Sequence, residues 1–258
     1  AVCKAELQRQ LGLAQEPDTP LMAIVSRLVG HKGMDLVCQG LEGLMAAGCQ
    51  LVVLGQGESQ FEDAFRWAQN RWPGRVSAQI TYSDNLSRRI YGAADLFLMP
   101  SRSEPCGLSQ LIAMRYGAVP IVRQTGGLND TVRSCQVGQP DGNGYVFSGC
   151  TAHDLCQTVG QAVGLYRGDR MGFDTVRRRG MTEDFSWNRS AGDYLRIYGA
   201  VTGLSWEKSA PEAPAAEAAA PTEAPVIEVP AEEAVVSAAE PVSETAAKPA
   251  AKKAARKT

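Results

Sequence analysis

Leu21-Met22-Ala23-Ile24-Val25-Ser26-Arg27-Leu28-Val29-Gly30-His31-Lys32-Gly33 opens the stretch whose reading decides the fold. The apolar, partly β-branched run Leu21–Val25 reads as a short buried strand. A loop carrying two cations follows and ends at a glycine. Beyond it, Met34, Leu36, Val37, Leu41, Leu44 and Met45 keep the three-to-four spacing of a helix with one buried face. The next apolar run, Leu51–Leu54, completes a strand–helix–strand unit, and such alternation specifies a mostly parallel sheet.

The pattern continues outward. Strands are expected at Val76–Tyr82, Asp95–Pro100, Val119–Val122 and Tyr145–Phe147, with helical stripes at Phe61, Phe65 and Ala68 and at Leu86, Ile90 and Ala93–Ala94. Later helices are expected near Ala152–Tyr166 and Trp187–Ala200, the second with Ser186 as N-cap. The fold class is therefore α/β: a Rossmann-like, doubly wound parallel sheet of about six strands, whose ligands bind at the carboxyl ends of the strands.

Composition divides the chain into residues 1–208, a folded domain, and an Ala/Pro/Glu/Lys-rich tail over 209–258. The tail has no aromatic residue and is expected to be disordered, because it cannot bury enough apolar area to offset an ordering cost of about 1–2 kcal/mol per residue. Limited proteolysis should trim it first; equal resistance on both sides of Trp206 would contradict that reading. Its acid-then-basic order fits a flexible solubilising extension first and an anionic partner second. A net charge of -2 gives no reason to expect nucleic acid as a partner. No apolar run reaches the roughly 18–20 residues of a membrane span. Seven cysteines without a C-x-x-C pair read as reduced thiols, which points to the cytoplasm or a plastid stroma. The chain opens at Ala1 with no leader resembling a targeting peptide, and a truncated start is expected.

Four segments follow strands and carry chemistry. In Ser26–Gly33, Arg27 offers a planar fork and Lys32 a point charge, the two ways proteins grip phosphate oxygens. Two solvated surface charges would look the same. In Pro100-Ser101-Arg102-Ser103-Glu104-Pro105-Cys106-Gly107-Leu108-Ser109-Gln110, an acid stands beside a helix start. There the amides of Gly107, Leu108 and Ser109 are placed to meet anionic oxygen or sugar hydroxyls, and Glu104 to accept from a sugar or to cap the helix. Tyr82, expected at a strand end, is placed to stack on a base or to fill the rim of the core. Thr125-Gly126-Gly127-Leu128-Asn129-Asp130 reads first as a tight turn. Gly55-Gln56-Gly57 suggests a dinucleotide fingerprint, but Gln60 stands at the third glycine position and no acid ends the following strand. A nicotinamide enzyme is not expected. His31 and His153 lie far apart without cysteine spacing, so no metal site is expected either.

The order and spacing of Ser26-Arg27-Leu28…Lys32-Gly33, Tyr82, Pro100–Leu108 and Thr125–Leu128 resemble the C-terminal domain of bacterial glycogen synthases and plant starch synthases. The resemblance runs from about residue 1 to 200 and implies the donor-binding half of the two-domain GT-B fold. It implies a retaining transfer of glucose from ADP-glucose to the non-reducing end of an α-1,4-glucan, similar to a front-face displacement, with no metal or other cofactor required. Catalytic roles would fall to Arg27 and Lys32 on the diphosphate and to Glu104 on glucose hydroxyls. Donor binding would fall to Tyr82 on adenine and to Cys106, Gly107, Leu108 and Ser109. His31 departs from the Gln of many relatives, and Ile112 stands where broader GT-B families carry a second Glu. The family's Lys-Thr-Gly-Gly-Leu acceptor motif and N-terminal histidine are not found, so the partner implied is a missing N-terminal GT-B domain, and the chain alone is expected to be inactive. A non-catalytic nucleotide-sugar-binding module and a hexosyltransferase using another nucleotide sugar are the alternatives.

Overall fold

The computed structural model describes residues 2–135 and 141–204; the expected tail and its boundary at 208 lie outside them. Six strands, β1 (Leu21–Val25), β2 (Gln50–Leu54), β3 (Val76–Gln79), β4 (Leu96–Met99), β5 (Val119–Arg123) and β6 (Tyr145–Phe147), form one sheet in the order β3-β2-β1-β4-β5-β6. Every pairing is parallel. This is the doubly wound order, and it reverses between β1 and β4, the place at which such sheets bind ligands at the carboxyl ends of their strands.

Helices cover both faces: α1 (Val2–Gln10), α2 (Met34–Ala46), α3 (Ser59–Arg71), α4 (Asp84–Ala93), α5 (Ser109–Tyr116), α6 (Gly126–Thr131), α7 (Ala152–Gly168), α8 (Arg170–Thr182) and α9 (Trp187–Thr202). Successive strand residues point to opposite faces. Met22 and Ile24 join Leu51 and Val53 under Leu41 of α2, Phe65 of α3, Val159 of α7 and Phe173 of α8. Leu21 and Ala23 join Val52, Leu54 and Phe97 under Leu7 of α1, Ile90 of α4 and Ala113 of α5. Each large side chain so buried contributes about 1.5–3 kcal/mol, and both sides of the sheet are sealed. That is why the strands read as unbroken apolar runs.

α1 and α8 were not foreseen. α1 buries Lys4 and Gln8 beside Leu7. The Lys4 ammonium donates to Asp95 Oδ2 at 2.7 Å, Arg177 donates to Asp95 Oδ1 at 2.9 Å, and the Leu21 amide donates to Oδ2 at 3.0 Å. One buried carboxylate thus ties α1, β1, β4 and α8 together beneath the sheet.

β3 ends at Gln79, three residues short of the expected Tyr82. Its partner supplies the reason: the last β2–β3 pair is Leu54 with Gln79, after which the chain leaving β2 turns to the other side and bridges Leu28 through Gly57. Ser83 then starts α4 by accepting the Leu86 amide. α7 runs on to Gly168, started by Thr151, which accepts the Asp154 amide. Ser186 occupies the N-cap position of α9, but its side chain makes no capping bond. No residue of α9 is buried, and Trp187, Ile197, Tyr198 and Val201 are exposed along it.

The cysteines are free thiols, and burial pushes the Cys49 thiol up to about 11, so it stays protonated at neutral pH. Among the described residues no helix is long and apolar enough to cross a membrane.

Candidate functional site

Two loops meet where the strand order reverses: Ser26–Gly33 after β1 and Pro100–Leu108 after β4. Gly33 brings them together. Its φ of 74° starts α2, and an added Cβ would lie 2.0 Å from the Pro100 carbonyl oxygen. One residue earlier in the first loop, Lys32 Nζ donates to Glu104 Oε2 at 2.6 Å. Ser101 Oγ donates to the same oxygen at 3.2 Å, and the Arg102 amide donates to the His31 carbonyl at 2.9 Å. Glu104 is buried, with 8% of its surface exposed. It therefore does not cap α5. Leu108 holds that N-cap position and no side chain caps the helix, so the first-turn amides lack an intrahelical acceptor.

The Glu104 loop is held from behind by backbone. Gly126 and Gly127 are the first residues of α6 rather than a turn ahead of it. Their missing side chains let the loop in: an added Cβ would lie 2.2 Å from the Glu104 carbonyl oxygen at Gly126 and 2.0 Å from that of Cys106 at Gly127. The Gly127 amide donates to the Glu104 and Pro105 carbonyls at 3.1 and 3.2 Å. Arg123, at the end of β5, clasps the Ser101 and Arg102 carbonyls at 3.1 and 2.7 Å, and Gln110 Nε2 donates to the Gly107 carbonyl at 2.9 Å. Arg123 and Gln110 escaped the sequence reading. Their only signal was a polar residue ending an apolar strand and a buried amide in a first helical turn.

Arg27 is exposed, with its guanidinium 3.4 Å from His31 Nε2. With Gly55, Gln56, Thr81, Tyr82 and Ser83 it lines a cleft of about 280 Å³. Tyr82 stands at the rim, 85% exposed, on the β3–α4 loop. Cys106 and Leu108 are also exposed, and Gly107 has a φ of 76°. The Ser109 side chain hydrogen-bonds Tyr91, whose phenol pKa is raised by burial. At the edge, Arg102 pairs with Asp35, and that hydrogen bond raises the guanidinium pKa. Lys32 and Glu104 are thus in direct contact, Arg27 and Tyr82 share one cleft, and Cys106–Ser109 continue the Glu104 loop. Among the described residues no three His, Cys, Asp or Glu side chains gather as metal ligands.

The arrangement offers Lys32 against the buried Glu104 carboxylate, an exposed Arg27 lining the cleft, and an α5 start that no side chain caps. Such a site suits an anionic group bearing a polyol. The family model described as glycosyl transferases group 1 matches residues 6–163. Glycogen synthase of Rhodospirillum rubrum is 46% identical over 200 residues, covering 78% of this chain and 41% of that protein. Glycogen synthase of Clostridium acetobutylicum is 43% identical over 198 residues, covering 77% and 42%. The catalytic domain of starch synthase IV from Arabidopsis thaliana, solved bound to ADP and acarbose, aligns with a TM-score of 0.70 at 33% identity, covering 79% of this chain and 43% of that one. The chain spans about two fifths of the length of the curated relatives it matches.

Proposed function

Since the chain belongs to the glycosyl transferases group 1 family, we propose that it is the donor-binding lobe of a glycogen or starch synthase that takes glucose from ADP-glucose. The observation that carries this reading is the Lys32–Glu104 contact at 2.6 Å. It joins the phosphate-type loop and the sugar-type loop at the point of strand reversal, where doubly wound sheets bind ligands. In this reading Arg27 and Lys32 stabilise charge developing on the departing diphosphate, which is where fixed cations lower a barrier. Glu104 accepts from glucose hydroxyls, the amides of Gly107, Leu108 and Ser109 and the backbone at Cys106 complete the sugar side, and Tyr82 stacks on the adenine. Transfer to the α-1,4-glucan end proceeds with retention.

Arg27→Ala and Lys32→Ala are each expected to weaken ADP binding by about 1–3 kcal/mol, the range of a charge-assisted hydrogen bond. The loss should shrink at high salt. Titration calorimetry measures it, and unchanged affinity in both variants would leave Arg27 a solvated surface charge and Lys32 only a partner of Glu104. Titrating UDP and GDP beside ADP separates the proposed donor from another nucleotide sugar.

The 258 residues alone are expected to bind ADP or ADP-glucose yet add no measurable glucose to glycogen. Holding the acceptor in line with the anomeric carbon is worth about 7–11 kcal/mol of barrier. The described residues offer one wall of the site. Radiolabel incorporation onto glycogen is the measurement, and robust incorporation would overturn the one-lobe reading.

A further inference from the structure

The loop that carries Arg27 and Lys32 does not stand on its own. Past the ends of β1 and β2 the two chains stay side by side. The Ser26 amide donates to the Leu54 carbonyl at 3.1 Å, the Leu28 amide to the Gln56 carbonyl at 2.9 Å, and the Glu58 amide to the Leu28 carbonyl at 2.8 Å. This close approach needs glycine at two positions. An added Cβ at Gly55 would lie 1.8 Å from the Ser26 carbonyl oxygen, and one at Gly57 2.0 Å from that of Leu28. Gly55-Gln56-Gly57 is thus a seat for the neighbouring loop rather than a dinucleotide fingerprint.

The backbone is fixed in this way as far as Leu28. From there Gly30–Lys32 forms a single 3-10 turn, and the first N–H of such a turn has no acceptor within it. Glu58 supplies one: Oε1 accepts the Gly30 amide at 3.0 Å. Its own carboxylate is steadied by Gln60 Nε2 at 2.7 Å, and the adjoining Gly57 amide donates to Glu62 Oε1 at 2.9 Å. We infer that Glu58 is a positioning residue for the donor site, its carboxylate fixing the turn that presents Lys32. The inference rests on the donor-site reading above. Charge alone would act the other way, because a carboxylate beside two cations lowers the local positive potential available to a diphosphate.

Glu58→Ala and Glu58→Gln in the full 258-residue chain separate the two effects. If Glu58 positions the turn, E58A raises the calorimetric Kd for ADP about tenfold, the size of one hydrogen bond to a charged group. E58Q, whose amide oxygen still accepts the Gly30 N–H, stays within about threefold of the parent. Hydrogen exchange at Gly30, followed by NMR, speeds up in E58A, while the thermal midpoint moves by no more than about 2 °C, as for other exposed substitutions. E58A binding as tightly as the parent or more tightly, or E58Q binding as weakly as E58A, would overturn the inference. If the parent itself binds no ADP, the donor-site reading fails, and the Gly30 exchange rate decides the positioning alone: equal rates in parent and E58A would dismiss it.

Discussion

Gly33→Ala is expected to cost at least about 3 kcal/mol of stability and to lower the thermal midpoint by roughly 6–12 °C. The two contributions have separate origins. A left-handed backbone costs an L-residue about 1–2 kcal/mol, and Gly33 sits at a φ of 74°. The new Cβ would also lie 2.0 Å from the Pro100 carbonyl oxygen, an atom of the backbone rather than the end of a side chain that can swing aside. Relief requires the loop after β1 to move away from the loop after β4. On the donor-site proposal, ADP binding should therefore fall in whatever folded fraction remains. Differential scanning calorimetry and a parallel ADP titration check both halves, and a midpoint within about 2 °C of the parent would mean that the two loops are not interlocked as described.

Asp95→Ala should be of similar size, about 3–5 kcal/mol, because it removes one partner from a buried ion cluster and strands the others. Lys4 is 6% exposed and Asp95 5%. Without the carboxylate, the Lys4 ammonium keeps only neutral oxygens, including the Pro17 carbonyl and the Tyr166 hydroxyl, and the Leu21 amide loses its acceptor. Arg177 retains Asp174. Urea denaturation measures the loss. Asp35→Ala provides the contrast, since its pair with Arg102 is partly exposed and worth about 0–1 kcal/mol. Equal losses in the two variants would contradict a buried cluster.

Sequence patterns reveal what depends on apolar periodicity. The strands and the stripes of α2, α3 and α4 were legible because parallel strands and their covering helices bury near-continuous apolar surface. α1 was not, because the side chains it buries are Lys4, Leu7 and Gln8. Lys4 is buried against a carboxylate 91 residues away, and Gln8 donates to the Gln50 side-chain oxygen at 2.7 Å. α8 was missed likewise, since its contact face is only Phe173, Val176 and Gly180 among arginines. At the site, Arg27, Lys32 and Glu104 stood out by type and place, and the structure brings Lys32 and Glu104 into contact. The devices that aim them were not legible. A glycine pair looks the same whether it makes a turn or admits another loop's carbonyl, and Gly55, Gly57, Gly126 and Gly127 do the second. Tyr82 was misread as strand because the length of β3 is set by where β2 turns away, a fact about the partner chain segment.

The ground beneath the two cations and the rim of the cleft beside Arg27 differ in how they are built. The floor under Arg27 and Lys32 is backbone against backbone at Gly33, Gly55 and Gly57, positions that admit no side chain. The rim at Thr81, Tyr82 and Ser83 is an exposed connection between a short strand and a capped helix. Substitutions at the rim leave the floor in register. Side chains at the rim can therefore be exchanged without moving the backbone beneath, whereas any side chain added at the floor forces two loops apart.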